Sequence, residues 1–444
     1  MKKIFIVFVL VCCGAVFAAS YKLELKVNKP DGVFKCGEKI VFSCRVLKDG
    51  KTASGVDVRY KFMADKQRVQ RGKFISSGTW TRETKLDYPG WVRMEFSIHG
   101  KDGKMIDIDG TRYGRPAKHK SVGIGALTDP EKILPVYPEP ADFDEFWAGV
   151  RKELDAVPVK AERVEFKLDG KIANKVVCYD TKVDCAGGMP VSGYLCMPKN
   201  AKPKSCPALL YYDGAGVRTS GKDPGMASNG IITFNVNAHG IENGKPKAFY
   251  DQLSKGKYRG YPHFGKKDRN SFYFKGMYMR VMRSLDYIKS LPEWDGKHIV
   301  VCGGSQGGAQ VFAACALDKD VTYAIASVPA MSDHSGCLAG RDSGWPRLYK
   351  CVNGKPDDPE VAKTAAYYDN ASFAKRVKCP INVNTGLFDT TCVPTSVMAV
   401  YNSIPETTQK WLTIVPDGKH DASHKPGNKR RNDYLLKAKK ANRK

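Results

Sequence analysis

The stretch Gly303-Gly304-Ser305-Gln306-Gly307 constrains this chain more than any other. It follows a β-branched run at 298–302 and opens a small-residue segment at 308–314. A strand that turns sharply into a helix through G-x-S-x-G is the setting of a nucleophile elbow. Strand and helix pack closely around such a turn, so side chains beside the serine would collide. A serine at the tip keeps its hydroxyl exposed. The bland alternative is a structural glycine turn, and residues further along the chain decide between the two.

From about 165 onward strands alternate with helices. Apolar or β-branched runs stand at 208–212, 231–237, 298–302, 323–328, 381–385 and 411–415. Between them, Phe274, Met277, Tyr278, Val281, Leu285 and Ile288 recur at helical spacing. Near-continuous apolar strands joined by crossover helices predict a mostly parallel sheet with helices on both faces, and the elbow at Ser305 makes the expected arrangement an α/β-hydrolase fold. Residues 20–120 read differently. Tyr21-Lys22-Leu23-Glu24-Leu25-Lys26-Val27 alternates as a half-buried strand does. Further strands are expected at 39–46, 56–62, 78–86 and 92–98, with turns at Lys48-Asp49-Gly50 and Lys101-Asp102-Gly103. This segment reads as a small, immunoglobulin-like β-sandwich. A proline-rich linker ends at Pro140. Asp142 then reads as an N-cap, with Glu145 completing a capping box. Phe143, Phe146, Trp147, Val150 and Leu154 mark the buried face of the helix that follows. The expected division is a signal peptide over 1–18, the sandwich over 19–125, a linker over 126–140, the hydrolase domain over 141–428 and a basic tail over 429–444.

The first residues have the pattern of a secretory signal. Lys2 and Lys3 precede an apolar run at 4–11, and Val16-Phe17-Ala18 offers small residues for cleavage. A lipoprotein reading at Cys12 or Cys13 is disfavoured, since neither follows the small residue expected there. Export to a periplasmic or extracellular space implies that some of the 14 cysteines pair. Cys36 and Cys44 are close in sequence, as are Cys178, Cys185, Cys196 and Cys206, whereas Cys302 and Cys315 read as small buried hydrophobes. No zinc-type Cys spacing is present, so no metal is expected. No later run is long and apolar enough for a membrane span. The formal net charge of +26 favours anionic partners. Residues 425–444 hold nine Lys/Arg against one Asp. No aromatic-interleaved RNA-binding motif accompanies them, so solvated charge, then contact with an acidic glycan, is preferred to nucleic acid.

A serine hydroxyl needs a base to take its proton and an acid to orient that base. In an α/β hydrolase these follow in the order Ser, Asp/Glu, His. Asp389 comes just after the strand at 381–385, and His420 after the strand at 411–415. His424 competes with His420 but lies further from its strand end. Asp389 could instead cap the turn near Pro394. The tetrahedral intermediate needs two backbone N–H donors. Gln306, directly after the serine, is one candidate, and the Asp213-Gly214-Ala215-Gly216 loop after the strand at 208–212 carries the other.

With these residues in place, the hydrolase part resembles the acetyl xylan esterase / cephalosporin-C deacetylase family, carbohydrate esterase family seven. Four segments carry the likeness: Pro140-Ala141-Asp142-Phe143-Asp144-Glu145-Phe146-Trp147; the helix ending Leu291-Pro292-Glu293; Gly303-Gly304-Ser305-Gln306-Gly307-Gly308; and Gly386-Leu387-Phe388-Asp389-Thr390-Thr391-Cys392-Val393-Pro394. The resemblance implies Ser305 as nucleophile, Asp389 as acid, His420 as base, and the Gln306 and Ala215 amides as oxyanion hole. It implies removal of acetyl groups from sugar hydroxyls without a cofactor. There are departures. Ala215 stands where the family has a tyrosine, which would leave the acyl site roomier. The family's Arg-Gly-Gln reads here as His239-Gly240-Ile241, making His239, like Asp213, a candidate substrate contact or a structural residue. The β-domain is an addition, so a homo-oligomer is compatible with the chain but the family's hexameric ring is not carried over.

The expected function is an exported serine esterase acting on acetylated polysaccharide or oligosaccharide. Two further readings stay open: another ester or amide hydrolase, such as a glucuronoyl esterase or a peptidase, because fold and triad are shared by many chemistries; and a non-catalytic glycan-binding surface protein.

Overall fold

A computed structural model describes residues 20–65, 69–422 and 424–442. The expected leader over 1–18, with Cys12 and Cys13, lies outside the described residues. The N-terminal segment folds as two six-stranded sheets. In one, Tyr21–Val27 pairs antiparallel with Ile40–Lys48. The other is centred on Gly90–His99, flanked by Asp57–Ala64 and Val122–Thr128. Alternate residues face the space between the sheets: Ile40, Phe42, Cys44 and Val46 from one, Met94, Phe96 and Ile98 from the other, all fully buried in one cluster. That two-residue period is what made these strands legible. The hairpin Ile108–Arg112/Arg115–His119 was not expected, because its sequence, IDGTR and RPAKH, has no apolar alternation.

The remainder is built on a nine-stranded sheet. In chain order its strands are β1 (Ala161–Phe166), β2 (Val176–Val183), β3 (Val191–Pro198), β4 (Cys206–Tyr212), β5 (Ile232–Val236), β6 (Trp294–Gly304), β7 (Tyr323–Ser327), β8 (Ile381–Gly386) and β9 (Lys410–Val415). Their order across the sheet is β1-β2-β3-β5-β4-β6-β7-β8-β9. The pairs from β1 through β3 to β5 are antiparallel, and from β5 to β9 all are parallel. Helix α1 (Phe143–Asp155) buries Phe143, Trp147, Val150 and Leu154, as its spacing predicts. The capping box does not form. The Asp142 side chain makes no cap bond and instead accepts from Arg269 Nη1 at 2.5 Å, a charge-assisted contact that outcompetes a backbone amide.

Helices α2 (Tyr273–Ser290) and α3 (Gln306–Leu317) cover one face of the sheet, against Leu210, Ile299, Val301 and Ala324. Helix α4 (Pro394–Ser403) follows β8, and α5 (Lys425–Ala441) closes the chain. The segment expected to be a basic tail is most of α5. Leu435 is fully buried with Leu209, Val300, Cys302 and Ile325, the residues alternating with those under α3, so α5 covers the opposite face of the sheet. Arg431 Nη1 donates to Tyr211 Oη at 2.7 Å. The helix was hidden because its apolar face is only a few residues wide among many lysines and arginines.

The disulfide found among the described residues is Cys337–Cys351. Cys36 and Cys44 stay free, because Cys44 is enclosed between the N-terminal sheets. Cys178, Cys185, Cys196 and Cys206 form no disulfide either, although the Cys178 and Cys196 sulfurs lie 2.9 Å apart.

Candidate active site

β6 ends at Gly304 and α3 begins at Gln306, with Ser305 between them at φ 57°, ψ −121°. Such a conformation persists only where its surroundings enforce it. Here they do. A Cβ on Gly303 would stand 2.3 Å from Gly307 O, and one on Gly307 2.1 Å from Tyr212 O. The Ser305 N–H donates to Ser327 O at 2.8 Å, and its carbonyl accepts from Ala330 N at 2.9 Å. The strand on either side and the helix thus hold the serine at the tip.

His420 stands in the loop after β9, and its Nδ1 is 2.8 Å from Asp389 Oδ2, in the loop after β8. Asp389 is buried, and its Oδ1 accepts from the backbone N–H groups of Thr391 at 2.7 Å and Cys392 at 3.0 Å. The carboxylate is therefore fixed, and with Nδ1–H donated to it the imidazole's basic nitrogen is Nε2. The two loops are tied together, Phe388 N donating to Gly418 O at 2.9 Å. His424 lies at the start of α5, where burial lowers its pKa to about 4.

Gln306 is buried at the first turn of α3, where a backbone N–H has no acceptor within the helix. Ala215 lies in a loop pressed against the elbow: a Cβ on neighbouring Gly214 would be 3.1 Å from Gly304 O and 3.9 Å from Ser305 Cβ. Gln310 of α3 ties this loop down, its Nε2 donating to Asp213 O at 3.0 Å. Arg218 Nη1 donates to Ala215 O at 2.7 Å, and its Nη2 to Gly214 O at 3.5 Å. Across a planar trans peptide the N–H points opposite to the carbonyl, so holding Gly214 O aims the Ala215 N–H. The Asp213 Oδ2 is buried with no partner among the described residues, and desolvation raises the carboxyl to about 6.

His239 is 1% exposed, so the structure places it in the packing beneath the site rather than at its mouth. Its Nδ1 is 2.5 Å from Tyr273 Oη, and its ring centre is 4.6 Å from that of Tyr261. Tyr261 in turn donates to Gln306 Oε1 at 2.6 Å. Where the family's Arg-Gly-Gln reads His239-Gly240-Ile241, His239, Tyr261 and Tyr273 form a connected group that reaches Gln306. Sequence reasoning missed Tyr261, Gln310 and Arg218, which come from segments with no motif of their own. Burial, with Arg280 nearby, lowers the His239 pKa to about 3. The unfolded chain takes up this proton below about pH 6.5, whereas the fold refuses it until about pH 3. Stability from His239 is therefore complete above the unfolded value and is lost as the pH falls below it. In urea titrations at about pH 7 and about pH 5, the wild type should lose about 2 kcal/mol more than His239→Gln. Equal losses would contradict a neutral, buried imidazole.

The N-terminal unit touches both the acid and the base loop. Trp91 Nε1 donates to Leu387 O at 2.8 Å, and Gly125 N to Pro416 O at 2.9 Å. Lys419 Nζ donates to Ser121 O at 2.8 Å, and Tyr113 N to Asp421 Oδ2 at 2.8 Å. The fit is close: a Cβ on Gly125 would be 2.1 Å from Leu387 O, and one on Gly123 would be 2.2 Å from the Phe388 ring. Trp91, Leu127, Ile133, Leu387, Val393 and Met398 form a shared apolar cluster.

Residues 126–438 match the family described as acetyl xylan esterase (AXE1). The chain is 32% identical over 443 residues to the acetyl esterase Axe7A of Xylanibacter ruminicola, covering 95% of this chain and 93% of that protein. Among solved structures, it resembles an acetyl xylan esterase from Paenibacillus sp. R4 with a TM-score of 0.58 and 27% identity, over 70% of this chain and 98% of that one. Acetyl xylan esterase 1 from Thermoanaerobacterium sp. JW/SL YS485 shares the fold with a TM-score of 0.54 at 21% identity, over 70% of this chain and 97% of that one. The likeness to Axe7A thus extends beyond the segment matched by the family.

Proposed function

The chain belongs to the acetyl xylan esterase family, a carboxylic ester hydrolase on an α/β-hydrolase fold, and we propose that it removes acetyl groups from acetylated polysaccharide or oligosaccharide by a Ser-His-Asp acyl-enzyme route. The observation that carries the proposal is the 2.8 Å contact between His420 Nδ1 and Asp389 Oδ2 on loops beside the strained Ser305 turn.

In this reading His420 Nε2 takes the proton of Ser305 Oγ as the oxygen attacks the ester carbonyl. The carbonyl oxygen becomes an oxyanion facing the Gln306 and Ala215 N–H groups, donors already fixed before charge develops. His420 returns its proton to the departing sugar oxygen, leaving acetyl-Ser305. Water, deprotonated by His420, then releases acetate and restores the serine. Asp389 keeps the imidazole in the right tautomer and offsets its charge. The residues and water complete the cycle, so the proposal assigns no cofactor or metal. Asp213 and His239 support the site in this reading rather than bind substrate. Ala215, small where the family carries tyrosine, leaves the acyl side more open.

We extend the proposal to export, which a leader at 1–18 and the Cys337–Cys351 disulfide both fit. No helix among the described residues is long and apolar enough to cross a membrane. The two-sheet N-terminal unit is read as an immunoglobulin-like sandwich appended to the catalytic domain, and no nucleic-acid partner is assigned.

The test is a side-by-side assay on acetylated xylan, a glucuronoyl ester and a peptide amide. Acetate release with little turnover of the other two supports the proposal. Preferential cleavage of the glucuronoyl ester or the amide would replace it, and failure on all three would leave the glycan-binding reading.

A further inference from the structure

We propose that the mouth of this site carries a subsite for an anionic sugar, a residue bearing a carboxylate or a sulfate ester close to the acetylated one. The proposal rests on the esterase reading above. Each of the loops that carry the candidate catalytic groups has an arginine beside it. On the oxyanion side, Arg218 is exposed, and one point, the Cβ position of Gly214, lies 3.8 Å from its Nη2 and 3.9 Å from Ser305 Cβ. On the acid side, exposed Arg347 donates from Nη2 to Thr390 O at 2.7 Å, the residue after Asp389. On the base side, the Tyr113 backbone is held by Asp421, next to His420, and the Arg112 guanidinium lies 5.7 Å from the Tyr113 ring centre. Tyr113 itself is 69% exposed.

The ion pairs of this region join Arg93 to Asp342 and Arg341 to Asp333. None reaches Arg112, Arg218 or Arg347 among the described residues. Two carboxylates stand nearby without a close ion pair to these arginines: Asp421, which accepts the Tyr113 N–H, and Asp213, whose buried carboxyl feels the Arg218 charge. A guanidinium offers five N–H donors in a planar fork that matches carboxylate and sulfate oxygens. The carbonyl contacts of Arg218 and Arg347 use one or two of these each and fix the group in place, leaving the others for a ligand. Loop carbonyls could be satisfied by neutral donors. Arginines without a close ion pair on several sides of the site gain most from an anion, and exposed Tyr113 adds a face on which a sugar ring can stack.

The test compares kcat/KM for acetate release from three oligosaccharides of equal length: a neutral acetylated xylo-oligosaccharide, one carrying a glucuronic acid branch, and one carrying a sulfate ester. The anionic-to-neutral ratio is the readout, because general damage to the site cancels in it. For the wild type we expect a ratio of about ten or more at low salt, falling as salt screens the charges. In Arg112→Gln/Arg218→Gln/Arg347→Gln the ratio should drop to about one, with each single variant lowering it in part. The larger of the carboxylate and sulfate ratios identifies the anion. A wild-type ratio of about one for both anions, or a ratio untouched by salt and by the substitutions, overturns the subsite while acetate release from the neutral oligomer leaves the esterase reading standing. Acetate release from none of the three would instead remove the esterase reading.

Discussion

Replacing Ser305 by alanine should lower kcat on an aryl acetate by about 10⁶-fold, with circular dichroism and thermal unfolding close to wild type. The size follows from the mechanism, since the acyl-enzyme cannot form without the serine oxygen. The fold should survive because the turn is shaped by the close approach of Gly303 and Gly307 to backbone, not by the serine side chain. Loss of His420 should cost nearly as much, and the two losses should not add, because base and nucleophile act as one unit. Asp389→Asn should cost about 10⁴-fold, since an amide favours the wrong imidazole tautomer. Undiminished hydrolysis by Ser305→Ala would remove the serine from the mechanism.

Replacing Gly125 by valine should lower kcat/KM on the same aryl acetate by about 10²-fold. Gly125 is far from the serine in sequence and belongs to the N-terminal unit. Yet its Cβ would fall 2.1 Å from Leu387 O, two residues before Asp389. The added side chain must push the acid loop, and displacement of a catalytic group by about 1 Å is enough for a loss of that size. A small chromogenic ester needs no glycan-binding module, so this loss would identify the N-terminal unit as a support of the triad. Removing residues 20–125 altogether should also abolish turnover, because Leu387, Val393 and Met398 would lose Trp91 as a packing partner and Leu127 would lose the strand it pairs with. Wild-type turnover by Gly125→Val, or by the truncated chain, would make the unit a separate module instead.

The residues that sequence could find are those whose chemistry or period is local. Ser305 sits in a turn that only glycines allow, and Asp389 and His420 follow apolar strands closely enough to be placed by chain order. The strands at 40–48 and 90–99 show through alternation of buried and partly buried side chains. What stayed hidden is set by contacts between distant segments. Tyr261 reaches Gln306 from a loop with no motif, and Trp91 reaches Leu387 across 296 positions. The disulfide joins Cys337 to Cys351, whereas spacing drew attention to other cysteines. Helix α5 reads as loose charge until Leu435 is seen filling the sheet's second face. The expected capping box failed for the same reason, since Arg269 comes from far along the chain to take the Asp142 carboxylate.

In the proposed cycle ester cleavage passes through acetyl-Ser305. The most direct measurement is the intact mass of the protein, quenched in acid during turnover of an aryl acetate, followed by peptide mapping of the modified residue. The expected result is one acetyl group on Ser305, absent from Ser305→Ala. An acetyl group on another residue, such as the neighbouring Cys392, or steady turnover by Ser305→Ala, would contradict it.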